Sequence, residues 1–305
     1  MIKVFGHKAP DTDAIGSALI AAWYLSQIRG EPARAFALGA PNTETAFVLE
    51  RWQADAPEIL DDVAQGDQCF IVDTNNPSEL PPSIQMAEII GIVDHHLLAG
   101  GLTTRAPIEI AIRPVACSAT ILHDLIGPDM ARMPRNLKGV MLSCILSDTL
   151  EFRSPTTTPH DKAVATALAG ELGIVIPDYA AELFAAKSDV AAYDDAALLT
   201  MDSKAYPIGD KLLRISVLET TTPSLLLARK AALIATMPQV AAQTGADQVL
   251  LFIIDILKQE AVLLVPNALV AQIAEASFGV RSEGDTITLP GIVSRKKQII
   301  PALKL

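Results

Sequence analysis

Short apolar runs alternate with longer amphipathic stretches over the first two thirds of the chain. Ile2–Phe5 reads as a buried strand and passes straight into a turn-rich segment, GHKAPDTD. Apolar residues then recur at helical spacing through Ile15, Leu19, Ala22, Trp23 and Leu25, which predicts an amphipathic helix. Cys69–Val72 and Ile89–Val93 are two more short apolar runs, each bounded by polar or Pro-rich sequence, and both read as strands. Further helices are expected around Ser118–Ile126, Asn136–Asp148 and His160–Leu172. Strands separated by helices need crossover connections, so the expectation is an α/β fold with a mainly parallel sheet flanked by helices.

The pattern changes after about residue 187. The polar stretch 188–196 reads as a hinge between a first domain, 1–187, and a second, 197–305. Beyond it, Leu212–Leu218, Val249–Ile254 and Ala261–Val265 are strand-like. A long Ala/Leu-rich helix is expected near Ser224–Ala242 and another around Asn267–Ser277. This is the pattern of a smaller α/β domain, closed by GIVSRKKQIIPALKL.

Length agrees with that division, since 305 residues at about 150 per domain give two. Half the residues are hydrophobic and 19% are charged, enough apolar material for a sizeable core. With 24 basic and 35 acidic residues the formal charge is −11. That balance argues against a nucleic-acid groove, whose affinity comes largely from Lys and Arg displacing counterions. It leaves room for a small anion held by a local basic cluster. The three cysteines, Cys69, Cys117 and Cys144, are odd in number, widely spaced and form no CxxC pair. A reducing, cytoplasmic setting and structural thiols fit them best. The N-terminus lacks the apolar core of a secretory signal, and the apolar runs fall short of the ~18–20 residues of a membrane span.

Chemistry concentrates where strands end. His7, Asp11 and Asp13 follow the first strand, Asp73 follows Cys69–Val72, and Asp94-His95-His96 follows Ile89–Val93. In an open parallel sheet the carboxyl ends of the strands are where ligands bind. Imidazole and carboxylate together suit a divalent ion such as Mn²⁺, Co²⁺ or Zn²⁺, whereas carboxylates alone tilt towards Mg²⁺ or Ca²⁺. No cysteine joins these clusters, which weakens zinc. With Asp148 from Ser-Asp-Thr, the candidates are too many for one tetrahedral site and suit two metals sharing a carboxylate. Such a pair clamps a phosphoryl group and turns a bridging water into a nucleophile near neutral pH. The plainer account of HxxxDxD is a turn with Asp13 capping the next helix. It does not explain why the same residue types end three strands. At the other end, Arg295-Lys296-Lys297 and Lys204 offer cations for a bound phosphate.

GHKAPDTDAIGSA, IVDHH, ILSDTLEFRSPTTT and SRKKQIIPAL together resemble the family II inorganic pyrophosphatases, the manganese-dependent branch of the DHH phosphoesterases with a DHHA2-type C-terminal domain. The resemblance runs from residue 2 to about 303. It implies hydrolysis of pyrophosphate with two Mn²⁺ per subunit, Co²⁺ or Mg²⁺ being alternatives, and with further Mg²⁺ arriving with substrate. It assigns His7 and Asp11 to one metal, Asp13, His95 and Asp148 to the other, and Asp73 to both. His96 would contact substrate near the bridging oxygen, and Lys204, Arg295 and Lys296 would bind its phosphates. The resemblance also implies a homodimer and an active site in the cleft between the domains.

Two departures stand out. The family usually reads Asp-His-Asn-Glu where this chain has Asp73-Thr74-Asn75-Asn76, and Thr74 cannot replace an imidazole beside the metals. Ala9 stands where the family often has Asn. A DHH phosphodiesterase for short oligonucleotides or cyclic dinucleotides is the competing enzyme, but its relatives carry a GGGH-like segment that this chain lacks. A non-catalytic metal or phosphate binder is the third reading. His123 and His160 carry no expected chemistry.

Overall fold

Six parallel strands, β1 (Ile2–Phe5), β2 (Ala33–Ala37), β3 (Glu58–Ile59), β4 (Gln68–Val72), β5 (Glu88–Asp94) and β6 (Glu109–Ile112), build the first sheet in the order β3-β2-β1-β4-β5-β6. The chain winds outward from β1 to β3, then returns to the other side of β1 as β4. The connections leaving β1 and β4 therefore diverge, and a crevice opens beyond their carboxyl ends. The computed structural model describes residues 1–98, 100–187, 190, 193–282 and 284–305, and the chain divides into two units, Met1–Lys187 and Ser188–Leu305.

Helices α1 (Thr12–Trp23), α2 (Thr43–Trp52), α3 (Ser118–Ile126), α4 (Arg135–Asp148), α5 (Pro159–Leu172) and α6 (Ile176–Lys187) complete the first unit. On one side Phe5, Phe36, Ile71, Leu80 and Ile92 form a continuous buried cluster. α1 and α4 are buried nearly all round and pack on each other. Gly16 makes this approach possible. A Cβ there would lie 2.3 Å from Cys144 Sγ and 2.9 Å from Val140 Cγ1. The contact sets the start of α1 beside the end of α4.

The second unit holds α7 (Asp195–Met201), β7 (Ser203–Ile208), β8 (Lys211–Thr220), α8 (Pro223–Ala228), α9 (Lys230–Thr244), β9 (Gln248–Asp255), β10 (Glu260–Leu264), α10 (Ala268–Phe278) and β11 (Thr286–Pro290). Its sheet runs β11-β10-β9-β8-β7, with only β8 and β9 parallel. β9 is wholly buried, with one apolar cluster on each face.

Three expectations change. The single helix near Ser224–Ala242 is two, α8 and α9, because Arg229 leaves helical geometry. Its guanidinium instead donates to Asp195 and to the carbonyls of Val190 and Tyr193. Of the expected hinge 188–196, residues 188, 189, 191 and 192 lie outside the described residues. Its last two residues already belong to α7, capped by Asp194, whose side chain accepts from Ala197 N. The strands β2, β3, β6, β7 and β11 and the helix α7 fall outside the expected elements; all are short, so each offers few residues from which to read a period. No single described helix is long and apolar enough to cross a membrane.

Candidate metal centre

β1 hands the chain to His7 through Gly6, where a Cβ would sit 2.7 Å from Ala14 Cβ. A side chain there would push the strand exit away from α1. The His7 Nδ1–H donates to the Lys8 carbonyl at 2.8 Å. A carbonyl only accepts, so the neutral ring keeps Nε2 as its free nitrogen. That atom lies 3.7 Å from Asp11 Oδ1 and 3.4 Å from Asp73 Oδ2.

Asp11, rather than Asp13, caps α1, accepting from Ala14 N at 3.0 Å. Asp13 sits inside the first turn and is 1% exposed. Its Oδ1 accepts from Ser17 Oγ (2.7 Å) and Ala119 N (3.2 Å), and its Oδ2 from Ser118 N (2.6 Å). Cys117, at the cap position of α3, makes no side-chain cap. Asp13 therefore satisfies that helix's first amides from α1, and the positive end of α3 favours its charge.

Asp73 is the centre of the arrangement. It follows β4 with φ +57°, the left-handed region that L-residues other than Gly, Asn and Asp avoid, and is 1% exposed. Its Oδ1 accepts from Ser118 Oγ at 3.1 Å and lies 3.2 Å from His95 Nε2. Its Oδ2 faces His7, so the two oxygens of one carboxylate serve different imidazoles. This is the disposition a shared ligand needs.

Asp94 ends β5 and plays a part the sequence reading did not separate from that of its neighbours. Its Oδ1 accepts from the backbone N–H of His96 (3.0 Å) and lies 2.9 Å from His96 Nδ1, while its Oδ2 accepts from Asn75 Nδ2 at 2.5 Å. Asp94 thus orients His96 and leaves the ring's Nε2 for another partner. The half-exposed His96 ring packs 4.2 Å from that of His95.

Asp148 ends α4, and its Oδ2 is buried with no hydrogen-bond partner. Among the described residues three sets have ligand atoms within 4.8 Å of one another: His7, Asp11 and Asp73; Asp73, His95 and His96, sharing Asp73 with the first; and, separately, Asp13, Cys117 and Asp148. The last set corrects the expectation that no cysteine joins the clusters. Cys117 is remote in sequence, and only the packing of α3 on α1 delivers its thiol.

The electrostatics follow from crowding. Burial and the charge of Asp73 push Asp13 up to about 7. Burial, with Asp13 and Asp73 close by, holds Asp148 well above the usual carboxylate range. Burial acts to lower both histidines. Hydrogen bonds to Asp11 and Asp73 overcome it at His7, raised to about 11, and Asp73 and Asp13 overcome it at His95, raised to about 9. Asp73 is held below its ordinary value against its own burial by hydrogen bonds from His7 and His95. Without cations, the protons on two imidazoles are the counterions of this acidic pocket. An orphaned buried oxygen, crowded carboxylates and imidazole nitrogens form a donor set that fits divalent cations of the Mn²⁺ class.

Lys204, Arg295 and Lys296 lie in the second unit. Lys204 is on β7, just past Asp202, and Arg295 grips that aspartate, with Nη2 2.7 Å from its Oδ1 and Nη1 2.8 Å from its carbonyl. The SRKK turn and the Lys204 strand are thereby neighbours. Lys204 and Lys296 are exposed. Thr74 is buried and donates to Glu79 at 2.7 Å, so a hydroxyl–carboxylate pair stands where an imidazole was the family expectation. His123 and His160 both lie against Asp124, outside the three candidate sets. Glu44, buried beneath Thr12 and Ser147, escaped the sequence reading because nothing in α2 announces a buried acid.

Known proteins resemble this chain over nearly its whole length. Residues 1–147 match the DHH family N-terminal domain, and 181–305 match the DHHA2 domain. The chain is 40% identical over 312 residues to the "Probable manganese-dependent inorganic pyrophosphatase" of Deinococcus radiodurans, covering 100% of this chain and 98% of that one. A protein of the same name from Staphylococcus carnosus is 35% identical over 300 residues, covering 98% and 97%. The crystal structure of a Methanococcus jannaschii protein described as a family II inorganic pyrophosphatase superposes with a TM-score of 0.64 at 33% identity, covering 99% of this chain and 98% of that one.

Proposed function

The chain belongs to the family II, manganese-dependent inorganic pyrophosphatases, and on that premise we propose that it hydrolyses inorganic pyrophosphate to two orthophosphates at the centre around Asp73. The observation that carries this reading is the placing of Asp73, whose two oxygens face His7 and His95 beside the orphaned oxygen of Asp148. In this reading His7 and Asp11 hold one Mn²⁺, Asp13, His95 and Asp148 hold a second, and Asp73 touches both. Bound ions supply neutralising charge for phosphate oxygens and lower the pKa of water to near neutrality.

The chain's own groups do the rest. Ser118 holds Asp13 through its N–H and Asp73 through its hydroxyl, keeping two ligand carboxylates in fixed orientation. Asp94 ties down Nδ1 of His96 and raises the ring's pKa, which favours the imidazolium form whose Nε2–H would serve the leaving oxygen. Lys204, Arg295 and Lys296, the cations the family resemblance implies, would supply positive charge to the phosphate oxygens, Arg295 giving up its grip on Asp202 to do so. Further Mg²⁺ enters with pyrophosphate as its counterion.

Purified protein supplied with Mn²⁺ releases orthophosphate from pyrophosphate in this reading, and Asp73→Asn abolishes it. Cleavage of dinucleotides without phosphate release from pyrophosphate, under any divalent ion, would hand the site to the phosphodiesterase alternative. Three buried free thiols support a cytoplasmic setting. A homodimer, without nucleic acid or membrane as partner, completes the proposal, and sedimentation checks the assembly.

A further inference from the structure

Glu44 lies in the first turn of α2 and is 1% exposed. Burying a carboxylate costs several kcal/mol unless it is paired and hydrogen-bonded, so a core position usually goes to an apolar residue. Here every polar neighbour of Glu44 leads to the metal centre or to the end of the first unit. Its Oε1 accepts from Thr12 Oγ1 at 2.7 Å and from Ser147 Oγ at 2.5 Å. Its Oε2 lies 3.2 Å from Lys187 Nζ, which also donates to Ser147 Oγ at 3.3 Å. Thr12 stands between Asp11 and Asp13, and Ser147 immediately precedes Asp148.

One oxygen atom thus pins the start of α1 to the end of α4, the two segments whose carboxylates crowd each other. Packing of α1 on α4, with the Cys144 thiol donating to the Thr12 carbonyl at 3.2 Å, brings these acidic segments side by side, and the Glu44 carboxylate adds the link closest to the carboxylates themselves. We propose that Glu44 is a positioning residue that fixes the separation of the Asp11–Asp13 and Ser147–Asp148 ligand segments, with the Lys187 ammonium as its counterion. The inference rests on the reading of Asp11, Asp13 and Asp148 as metal ligands.

The test is Mn²⁺ titration of the full chain, with free Mn²⁺ followed by electron paramagnetic resonance, alongside KM and kcat. Groups that orient metal ligands typically cost about 10–100-fold in affinity when lost. Glu44→Ala should weaken Mn²⁺ binding by about that factor. Glu44→Gln, which keeps an oxygen for both hydroxyls, should restore most of it. Ser147→Ala should weaken binding in the native background and add nothing once Glu44 is gone, because both act through one bridge. KM for pyrophosphate measured at saturating Mn²⁺ should stay within about threefold, since the bridge does not touch substrate. Unchanged Mn²⁺ affinity in a folded Glu44→Ala protein overturns the proposal, as does a fully additive Ser147→Ala effect. Should Glu44→Ala fail to fold, Thr12→Val and Ser147→Ala each remove one bond and must each weaken Mn²⁺ binding; no effect in either overturns it. Asp148→Asn separates the two levels. If it leaves Mn²⁺ binding intact, the ligand reading fails; if it abolishes binding while Glu44→Ala does not, only the positioning role fails.

Discussion

Loading the metal-free protein with Mn²⁺ must expel protons, and the structure sets how many. Ligand nitrogens and oxygens bind cations only when deprotonated. His7 is raised to about 11 and His95 to about 9, so at pH 8 the first is essentially fully protonated and the second about nine-tenths so. Asp13, raised to about 7, keeps its proton in about one molecule in ten at that pH. Saturation at pH 8 should therefore release about two protons, and the apparent affinity should fall about 100-fold for each unit of pH lowered from 9 to 7. Isothermal titration in buffers of differing ionisation enthalpy counts these protons directly. His95→Gln should remove about one of them. The sign for folding runs the other way. Two histidines with raised pKa values stabilise the metal-free protein fully below about 6.5, and that contribution fades as pH climbs through 9 and then 11. The rise in melting temperature on adding Mn²⁺ should hence grow with pH. Release of less than half a proton, or an affinity flat in pH, refutes the argument that imidazolium ions balance the empty centre.

Other outcomes follow from single contacts. Asp148→Asn relieves the crowding of buried carboxyl groups around an Oδ2 that has no partner, so the metal-free protein should melt no lower while losing the Mn²⁺-induced gain; scanning fluorimetry reads both. Gly16→Ala drives a methyl to 2.3 Å from Cys144 Sγ, which should cost about 1–3 kcal/mol in urea unfolding and lower Mn²⁺ affinity by separating α1 from α4. If His96 serves the leaving group as proposed, His96→Ala should reduce kcat by about 10²–10⁴ with Mn²⁺ affinity within a few-fold, Asp94 already occupying its Nδ1. An equal loss of Mn²⁺ binding would make it a ligand instead.

Much of the centre was legible along the chain because each donor sits directly after a strand or at a helix end. A short β-branched run followed at once by His or Asp needs only the rule that parallel sheets bind ligands at their carboxyl ends. That is how His7, Asp73 and His95 declare themselves as candidates. The polarity of individual carboxylates was not legible. Asp11 caps α1 while Asp13 caps α3, and Asp94 orients His96. These choices depend on which amide or ring is nearest in space.

The sequence by itself determined the alternation of strand and helix, the two-part chain and the family, since these rest on periodicity and on motifs whose members are near neighbours. Only the tertiary structure decided that the sheet reverses its winding between β1 and β4, that Cys117 reaches Asp13 and Asp148, and that Glu44 bridges Thr12 to Ser147. Each joins residues far apart in the chain, and whether a buried acid finds hydroxyl, ammonium or metal is settled by packing rather than by its place in a motif.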